Sequence, residues 1–184
     1  MMDPRQLTRI SRYLARHLRH EPQRIGLTLL PGGWVPVDDL LDACRAHQFA
    51  LTREELEAVV AQNDKQRFAF DETGTHIRAN QGHSVEVDLQ LEAVQPPTVL
   101  FHGTSQRVSA AIEQMGILKM SRHHVHLSED IETVLRVGAR HGVPVVFRVD
   151  AARMAADGHR FFRSANGVWL TDHVPALYVA RHET

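Results

Sequence analysis

Arginines and histidines gathered in short clusters are the side chains of this sequence best suited to chemistry. Arg16-His17-Leu18-Arg19-His20 places two Arg-His pairs side by side. An arginine fork matches the oxygens of a phosphate, and an imidazole exchanges a proton near neutral pH. On a helix Arg16 and His20, four apart, share a face. The plain alternative is a solvated basic helix end, where cations also suit the macrodipole. Spacing alone leaves the choice between the two pairs open. Arg67 alternates with Phe68 and Phe70; if the phenylalanines fill a core, the arginine leaves by the opposite face of the strand. The run Asn63-Asp64-Lys65-Gln66 adds polar groups beside it, although an exposed strand arginine would look the same.

The densest polar cluster is Arg122-His123-His124-Val125-His126-Leu127-Ser128. On a strand, His124 and His126 would share one face with Arg122, and Val125 and Leu127 would take the other. Zinc is the rival ligand, since imidazole is one of its usual donors. Arg122 on the same face would repel a cation, and no Cys or His pair elsewhere completes a familiar spacing. The pattern favours an anion or a nucleotide, and no metal is expected. His102-Gly103-Thr104 follows the apolar Val99-Leu100-Phe101, where a glycine would let a backbone approach a ligand closely. Ser164-Ala165-Asn166-Gly167 reads as a loop entering the strand Val168-Trp169-Leu170. Ordinary turns explain both segments equally well. No Gly-x-Gly-x-x-Gly follows a strand and no P-loop is present, so a Rossmann or P-loop nucleotide site is not expected.

The elements that must position these groups are legible in outline. Asp3-Pro4 is an N-cap and first-turn pair, and Leu7, Ile10, Leu14 and Leu18 give one helical stripe ending near His20. Leu27–Leu30 and Trp34–Val37 flank Pro31-Gly32-Gly33 and predict a short hairpin. A helix follows through Leu40, Leu41 and Cys44, then a second, capped by Thr52 with Glu55 and carrying Leu56, Val59 and Val60. A strand at Arg67–Phe70, a turn at Glu72-Thr73-Gly74 and a strand at His76–Arg78 complete a winged-helix-like lobe. Pro96-Pro97 is the best boundary, giving lobes of residues 1–94 and 95–184. The second lobe predicts strands at Val99–Phe101, Val125–Leu127, Val145–Val149, Phe161-Phe162, Val168–Leu170 and Leu177–Val179. Helices are expected around Val108–Met115 and Ile131–Ala139, making an α+β fold on antiparallel sheet.

Composition bounds the rest. The chain has 184 residues, 43% apolar, with a net charge of −1. That near-neutrality argues against coating nucleic acid by bulk electrostatics. The charge is uneven, however: Arg5, Arg9, Arg12, Arg16, Arg19 and Arg24 face only Asp3 and Glu21. No apolar run of about 18 residues could span a membrane, and Met1-Met2-Asp3-Pro4-Arg5 lacks the apolar stretch of a secretory signal. The one cysteine, Cys44, excludes an internal disulfide, fits a reducing compartment, and sits among apolar neighbours as a structural thiol. A cytoplasmic monomer is expected.

Together these segments resemble the NAD⁺-dependent RNA 2′-phosphotransferase family, the KptA proteins of bacteria and the tRNA 2′-phosphotransferases of eukaryotes. The resemblance runs in order over nearly the whole chain. It covers Leu18-Arg19-His20, Gly26-Leu27, Gly33-Trp34, Asn63-Asp64-Lys65-Gln66-Arg67-Phe68 and Ile77-Arg78-Ala79-Asn80-Gln81-Gly82-His83-Ser84. It continues through His102-Gly103-Thr104, Arg122 with His124-Val125-His126-Leu127-Ser128, and Asn166-Gly167-Val168-Trp169-Leu170-Thr171. It implies an N-terminal winged-helix RNA lobe and a C-terminal ADP-ribosyltransferase-like lobe that binds NAD⁺ without a Rossmann motif. It also selects Arg19-His20 over Arg16-His17, with the family's catalytic tetrad falling on Arg19, His20, Arg67 and Arg122. His102, Gly103, Thr104, Ser128 and Asn166 are the implied NAD⁺ contacts. The implied reaction transfers the 2′-phosphate of RNA, of the tRNA splice-junction type, to NAD⁺ through a 2′-phospho-ADP-ribosylated RNA. The products are 2′-hydroxyl RNA, ADP-ribose 1″,2″-cyclic phosphate and nicotinamide. Two alternatives are an ADP-ribosyltransferase that stops after the first step and a winged-helix regulator of nucleic acid that catalyses nothing.

Overall fold

The computed structural model describes residues 2–63 and 65–183, with His141 described by its backbone alone. The chain divides into two compact units, Met1–Leu91 and Glu92–Thr184. Each has its own apolar core. All paired strands are antiparallel.

In the first unit, α1 (Pro4–Arg19) starts where the Asp3 side chain accepts from the Arg5 backbone N–H and ends at His20, whose N–H bonds the Arg16 carbonyl. Of the predicted stripe, Ile10, Leu14 and Leu18 are buried and Leu7 is partly buried against the same core. The helix α2 (Val37–Ala46) buries Leu40 and Cys44. The capping box of Thr52 and Glu55 opens α3 (Arg53–Gln62) as expected. Strands β1 (Trp34–Pro36), β2 (Phe68–Phe70) and β3 (His76–Ala79) form one sheet in the order β1-β3-β2. The expected hairpin at Leu27–Val37 does not form. Pro31–Gly33 is a turn of 3-10 helix with Gly32 and Gly33 at positive φ, and β1 pairs with β3, Trp34 opposite Arg78. Val37 begins α2 instead of extending the strand.

Among the described residues the second unit carries three sheets, ordered β11-β7-β4, β6-β9-β8 and β10-β5. Their strands are β4 (Val99–Ser105), β5 (Ile117–Leu118), β6 (Val125–Leu127), β7 (Pro144–Asp150), β8 (Phe161–Arg163), β9 (Trp169–Thr171), β10 (His173–Val174) and β11 (Val179–Arg181). The helices are α4 (Gln106–Met115), α5 (Ile131–Gly138) and the unforeseen α6 (Ala151–Ala156), which Asp150 caps by accepting from the Arg153 N–H. Two corrections concern strand ends. The strand beginning at Val99 does not turn at His102 but runs on through Gly103 and Thr104, because β7 offers it a partner along its whole length. Leu177 lies in a 3-10 turn (Ala176–Tyr178), and the last strand starts only at Val179.

Helix α5 lies directly on β4. A Cβ added to Gly103 would sit 2.0 Å from the Val134 carbonyl oxygen, and one added to Gly138 would sit 2.6 Å from that of Thr104. Two glycines, one from each element, thus allow a contact that any side chain would prevent. Among the described residues no helix is long and apolar enough to cross a membrane.

Candidate functional site

In the first unit the end of α1 and the segment after β3 hold each other. The Ser84 backbone N–H donates to the Arg19 carbonyl at 2.9 Å, and the Ser84 hydroxyl lies 2.8 Å from His20 Nδ1. These bonds fix the backbone at Arg19 and one nitrogen of the exposed His20 ring. The guanidinium of Arg19 runs along Gly82, where a Cβ would lie 3.6 Å from Nη1. Gly82 has φ +88°, a conformation glycine takes without strain.

Arg67 precedes β2 instead of lying within it, and its half-buried side chain reaches α1. Its Nη1 donates to Ser11 Oγ at 3.3 Å and to Asn63 Oδ1 at 3.4 Å, while Asn63 Nδ2 donates to the same Ser11 hydroxyl. Both Ser11 and Asn63 are buried. The corner before Arg67 is strained, with Gln66 at φ +41°. Asn80 clamps it from β3's end: its side-chain amide donates to the Gln66 carbonyl at 2.6 Å and its backbone N–H to that of Arg67 at 2.9 Å. Asp64, also part of this motif, lies outside the described residues. Arg16 is drawn away from this arrangement by Glu21 at 2.7 Å, and His17 is buried with its Nδ1 donating to the Glu21 carbonyl. Burial holds the His17 pKa below its ordinary value, more than that bond raises it.

In the second unit His102 of β4 and Arg122 both meet His126 of β6, and Ser128 is joined to β4 through its backbone. Phe101 and Ser128 exchange both backbone hydrogen bonds. The His102 ring lies 3.0 Å by Nδ1 from the His126 carbonyl, so that nitrogen carries the proton. Arg122 Nη1 lies 3.2 Å from His126 Nδ1. A guanidinium can only donate, so Nδ1 of His126 accepts and its proton sits on Nε2. Burial lowers the pKa of His102, and the Arg122 charge lowers it further against the bond to His126. The strand spans Val125–Leu127 as expected, and Arg122 is not part of it but reaches His126 from the preceding bend. His124 leaves the cluster and packs edge-on against Phe162, its pKa lowered first by burial.

Gly103 and Thr104 continue along β4, and the close neighbour of Gly103 is the α5 backbone. Asn166 sits in the loop before β9, where its Oδ1 accepts from the Ser164 hydroxyl at 2.6 Å. Ser164 also ties the loop to Val168 through backbone and side chain, with Gly167 at φ +79° closing the turn. Among the described residues no group of three or more His, Cys, Asp or Glu side chains could hold a metal ion. Cys44 is fully buried and its thiol is pushed up to about 11 by that burial, which leaves it an inert core group.

Sequence reasoning assigned no role to Ser11, Asn63, Asn80, Gly82 or Ser84. The signal was available only as company: all but Ser11 fall in motifs already quoted, yet no spacing rule says which side chain a distant serine or asparagine will meet.

Comparison with known proteins bears on what such an arrangement serves. The model of the RNA 2′-phosphotransferase, Tpt1 / KptA family matches residues 5–173. A protein of Trichormus variabilis named "Probable RNA 2′-phosphotransferase" is 60% identical over 178 residues, covering 97% of this chain and 98% of that one. One of the same name from Streptomyces coelicolor is 56% identical over 178 residues, covering 97% of each chain. Another, from Rhizobium johnstonii, is 49% identical over 183 residues, covering 99% and 98%.

Proposed function

This chain belongs to the RNA 2′-phosphotransferase, Tpt1 / KptA family, and we propose that it transfers the 2′-phosphate of RNA to NAD⁺, yielding 2′-hydroxyl RNA, ADP-ribose 1″,2″-cyclic phosphate and nicotinamide. The observation that carries this reading is the family match over residues 5–173, inside which Arg19, His20 and Arg67 are each held by another residue of the quoted motifs or of α1.

Three helices and a three-stranded antiparallel sheet in the first unit support a winged-helix-like RNA lobe. The antiparallel sheets of the second unit support an ADP-ribosyltransferase-like lobe. Its donor set fits a dinucleotide: His102 keeps Nε2 as its remaining lone pair, Thr104, Ser128 and Asn166 are neutral, and Arg122 brings a cation beside His126. Gly103 contributes backbone there, although its missing side chain serves the α5 contact. NAD⁺ supplies an electrophilic ribose carbon with nicotinamide as leaving group, and a neighbouring hydroxyl to receive the phosphorus.

The residues of this chain do the rest. A phosphate monoester carries about −1.5 to −2 charges at neutral pH, and Arg19 and Arg67 of the first unit are the forks assigned to its oxygens, while Arg122, the remaining cation of the tetrad that the resemblance implies, stands beside His126 in the second unit. The same cations stabilise the extra charge that develops at phosphorus in the second step. His20, steadied through Nδ1 by Ser84, is the group assigned to move the proton of the attacking hydroxyl. The test is to incubate the protein with 2′-phosphorylated RNA and NAD⁺ in the presence of a chelator and to identify both products. The proposal expects 2′-hydroxyl RNA and the cyclic phosphate. No conversion, or conversion only on adding a metal, refutes it; ADP-ribosylated RNA as the end product would reduce it to the first step alone.

A further inference from the structure

The arginines of α1 are not scattered. Arg5, Arg9, Arg12, Arg16 and Arg19 follow one another at intervals of four, three, four and three. At about 100° per residue this spacing puts all five within an arc of roughly 80°, on the side opposite Ile10, Leu14 and Leu18. The helix carries no carboxylate of its own. Each consecutive pair is therefore a like-charge neighbour pair, and Arg5 in the first turn opposes the helix dipole as well; both arrangements weaken a helix that serves stability alone.

The stripe is also shaped. Pro4, Arg5, Thr8, Arg9 and Arg12 line an open hollow of about 420 Å³. Arg9 is stationed over the ring of Phe49 at 5.0 Å, and Phe49 is itself stacked on Tyr13 at 3.7 Å, which gives this cation a firm seat. Arg16 is committed to Glu21, whereas Arg5 and Arg12 are exposed and make no ion pair among the described residues. In a chain of net charge −1 this is a local polycation that ends at Arg19.

We propose that this face of α1 is a track for the sugar–phosphate backbone of the RNA that flanks the 2′-phosphate, with Arg5, Arg9 and Arg12 around the hollow as its far end. The inference rests on the proposed function, because the assignment of Arg19 to the 2′-phosphate is what makes the stripe continuous with the reaction. From Arg19 to Arg5 the helix rises about 21 Å, farther than a dinucleotide held at Arg19 can follow. The track therefore selects for length of RNA and reads no base, since phosphate contacts position without specifying sequence.

The test uses the full chain, the double variant Arg5→Ala/Arg12→Ala and the charge-keeping Arg5→Lys/Arg12→Lys. The probes are a 2′-phosphorylated dinucleotide and a fluorescent 2′-phosphorylated single strand of about ten nucleotides, within the span that single-strand grooves cover. Binding is read by anisotropy across a salt series, and turnover is followed with NAD⁺. The alanine pair should weaken binding of the longer strand roughly tenfold at low salt and flatten its log–log salt slope by about 1.4, two charges at about 0.7 each. The lysine pair should keep most of both, and dinucleotide binding and turnover should not change in either variant. An unchanged affinity and slope for the longer strand overturns the proposal, and so does an equal loss on the dinucleotide. A parent protein that dephosphorylates neither RNA would refute the proposed function instead, while the binding arms, which need no NAD⁺, still decide the track.

Discussion

Replacing Ser84 by alanine removes one atom from the arrangement around His20 and leaves its frame in place. The 2.9 Å bond from the Ser84 backbone to the Arg19 carbonyl does not involve the side chain, so it survives the substitution. What is lost is the 2.8 Å contact between the hydroxyl and His20 Nδ1. A hydrogen bond of this kind contributes about 1 kcal/mol net, and on an exposed ring the imidazole can recover part of that from water. The expected loss in the step His20 serves is therefore about fivefold. Removing the imidazole itself, as in His20→Ala, should cost about 100-fold or more if it carries a proton in that step. Single-turnover kinetics on 2′-phosphorylated RNA with saturating NAD⁺ would measure both variants, with Ser84→Thr as the control that keeps a hydroxyl. Urea unfolding should show Ser84→Ala within about 0.5 kcal/mol of the parent. The reasoning fails if Ser84→Ala is as damaging as His20→Ala while remaining as stable as the parent, because the hydroxyl would then be acting itself. It fails equally if His20→Ala is no slower than Ser84→Ala.

Other perturbations test neighbouring parts of the argument. Gly103→Ala forces a Cβ to within 2.0 Å of the Val134 carbonyl oxygen, so the urea midpoint should fall by an equivalent of about 3 kcal/mol, the upper end of overpacking costs; parent-like stability with lost NAD⁺ affinity would make this a ligand glycine instead. Acidification should destabilise the fold, because His17, His102 and His124 all have pKa values lowered chiefly by burial. The unfolded chain then binds protons that the fold refuses, so stability is complete above about pH 6.5 and is lost as pH falls through the lowered values. Asp71, held at about 2 mainly by the His76 backbone N–H, stays ionised across that window, and a thermal midpoint that is flat or rises on acidification would contradict the assignment. Arg67→Ala should slow the second chemical step about 10² to 10³-fold and more than the first, so gels should show ADP-ribosylated RNA accumulating; equal slowing with no accumulation would leave Arg67 as a phosphate binder only.

What could be read from the sequence divides by the range of the interaction responsible. Asp3-Pro4, the stripe of Ile10, Leu14 and Leu18, and the Thr52–Glu55 box are local signals, each settled within a turn or two of chain, and each element begins where they say. Two of the failures are decisions made elsewhere. Leu27–Leu30 looks like a strand beside Trp34–Pro36, but β1 takes β3 as its partner, some 40 residues on, and Gly32 and Gly33 bend a 3-10 turn into the gap. His102-Gly103-Thr104 looks like a turn because of its glycine, yet β7 continues the ladder to Ser105 and the glycine serves the helix packed above it. Helix α6 is six residues long and has little apolar period to read; its one local signal was Asp150 ahead of Ala151.

The candidate site follows the same division, with an instructive difference. Residue types capable of the chemistry were visible as clusters, but choosing Arg19-His20 over Arg16-His17 required the resemblance. In the structure the two pairs differ in their contacts: Glu21 pairs with Arg16, the core buries His17, and Ser84 bonds His20 from 64 residues away. The most recognisable segment of the chain, Arg78 to Ser84, owes its composition to such claims. Arg78 lies over Trp34 at 4.4 Å, Asn80 clamps the strained corner at Gln66, Gly82 takes a φ of +88° beside the Arg19 guanidinium, and Ser84 meets His20. Each of these four positions answers a specific partner or backbone shape, so few residue types can fill it. A run built this way identifies a site more sharply than the arginines it supports, since arginine is common on any surface while the sequence of supports is not.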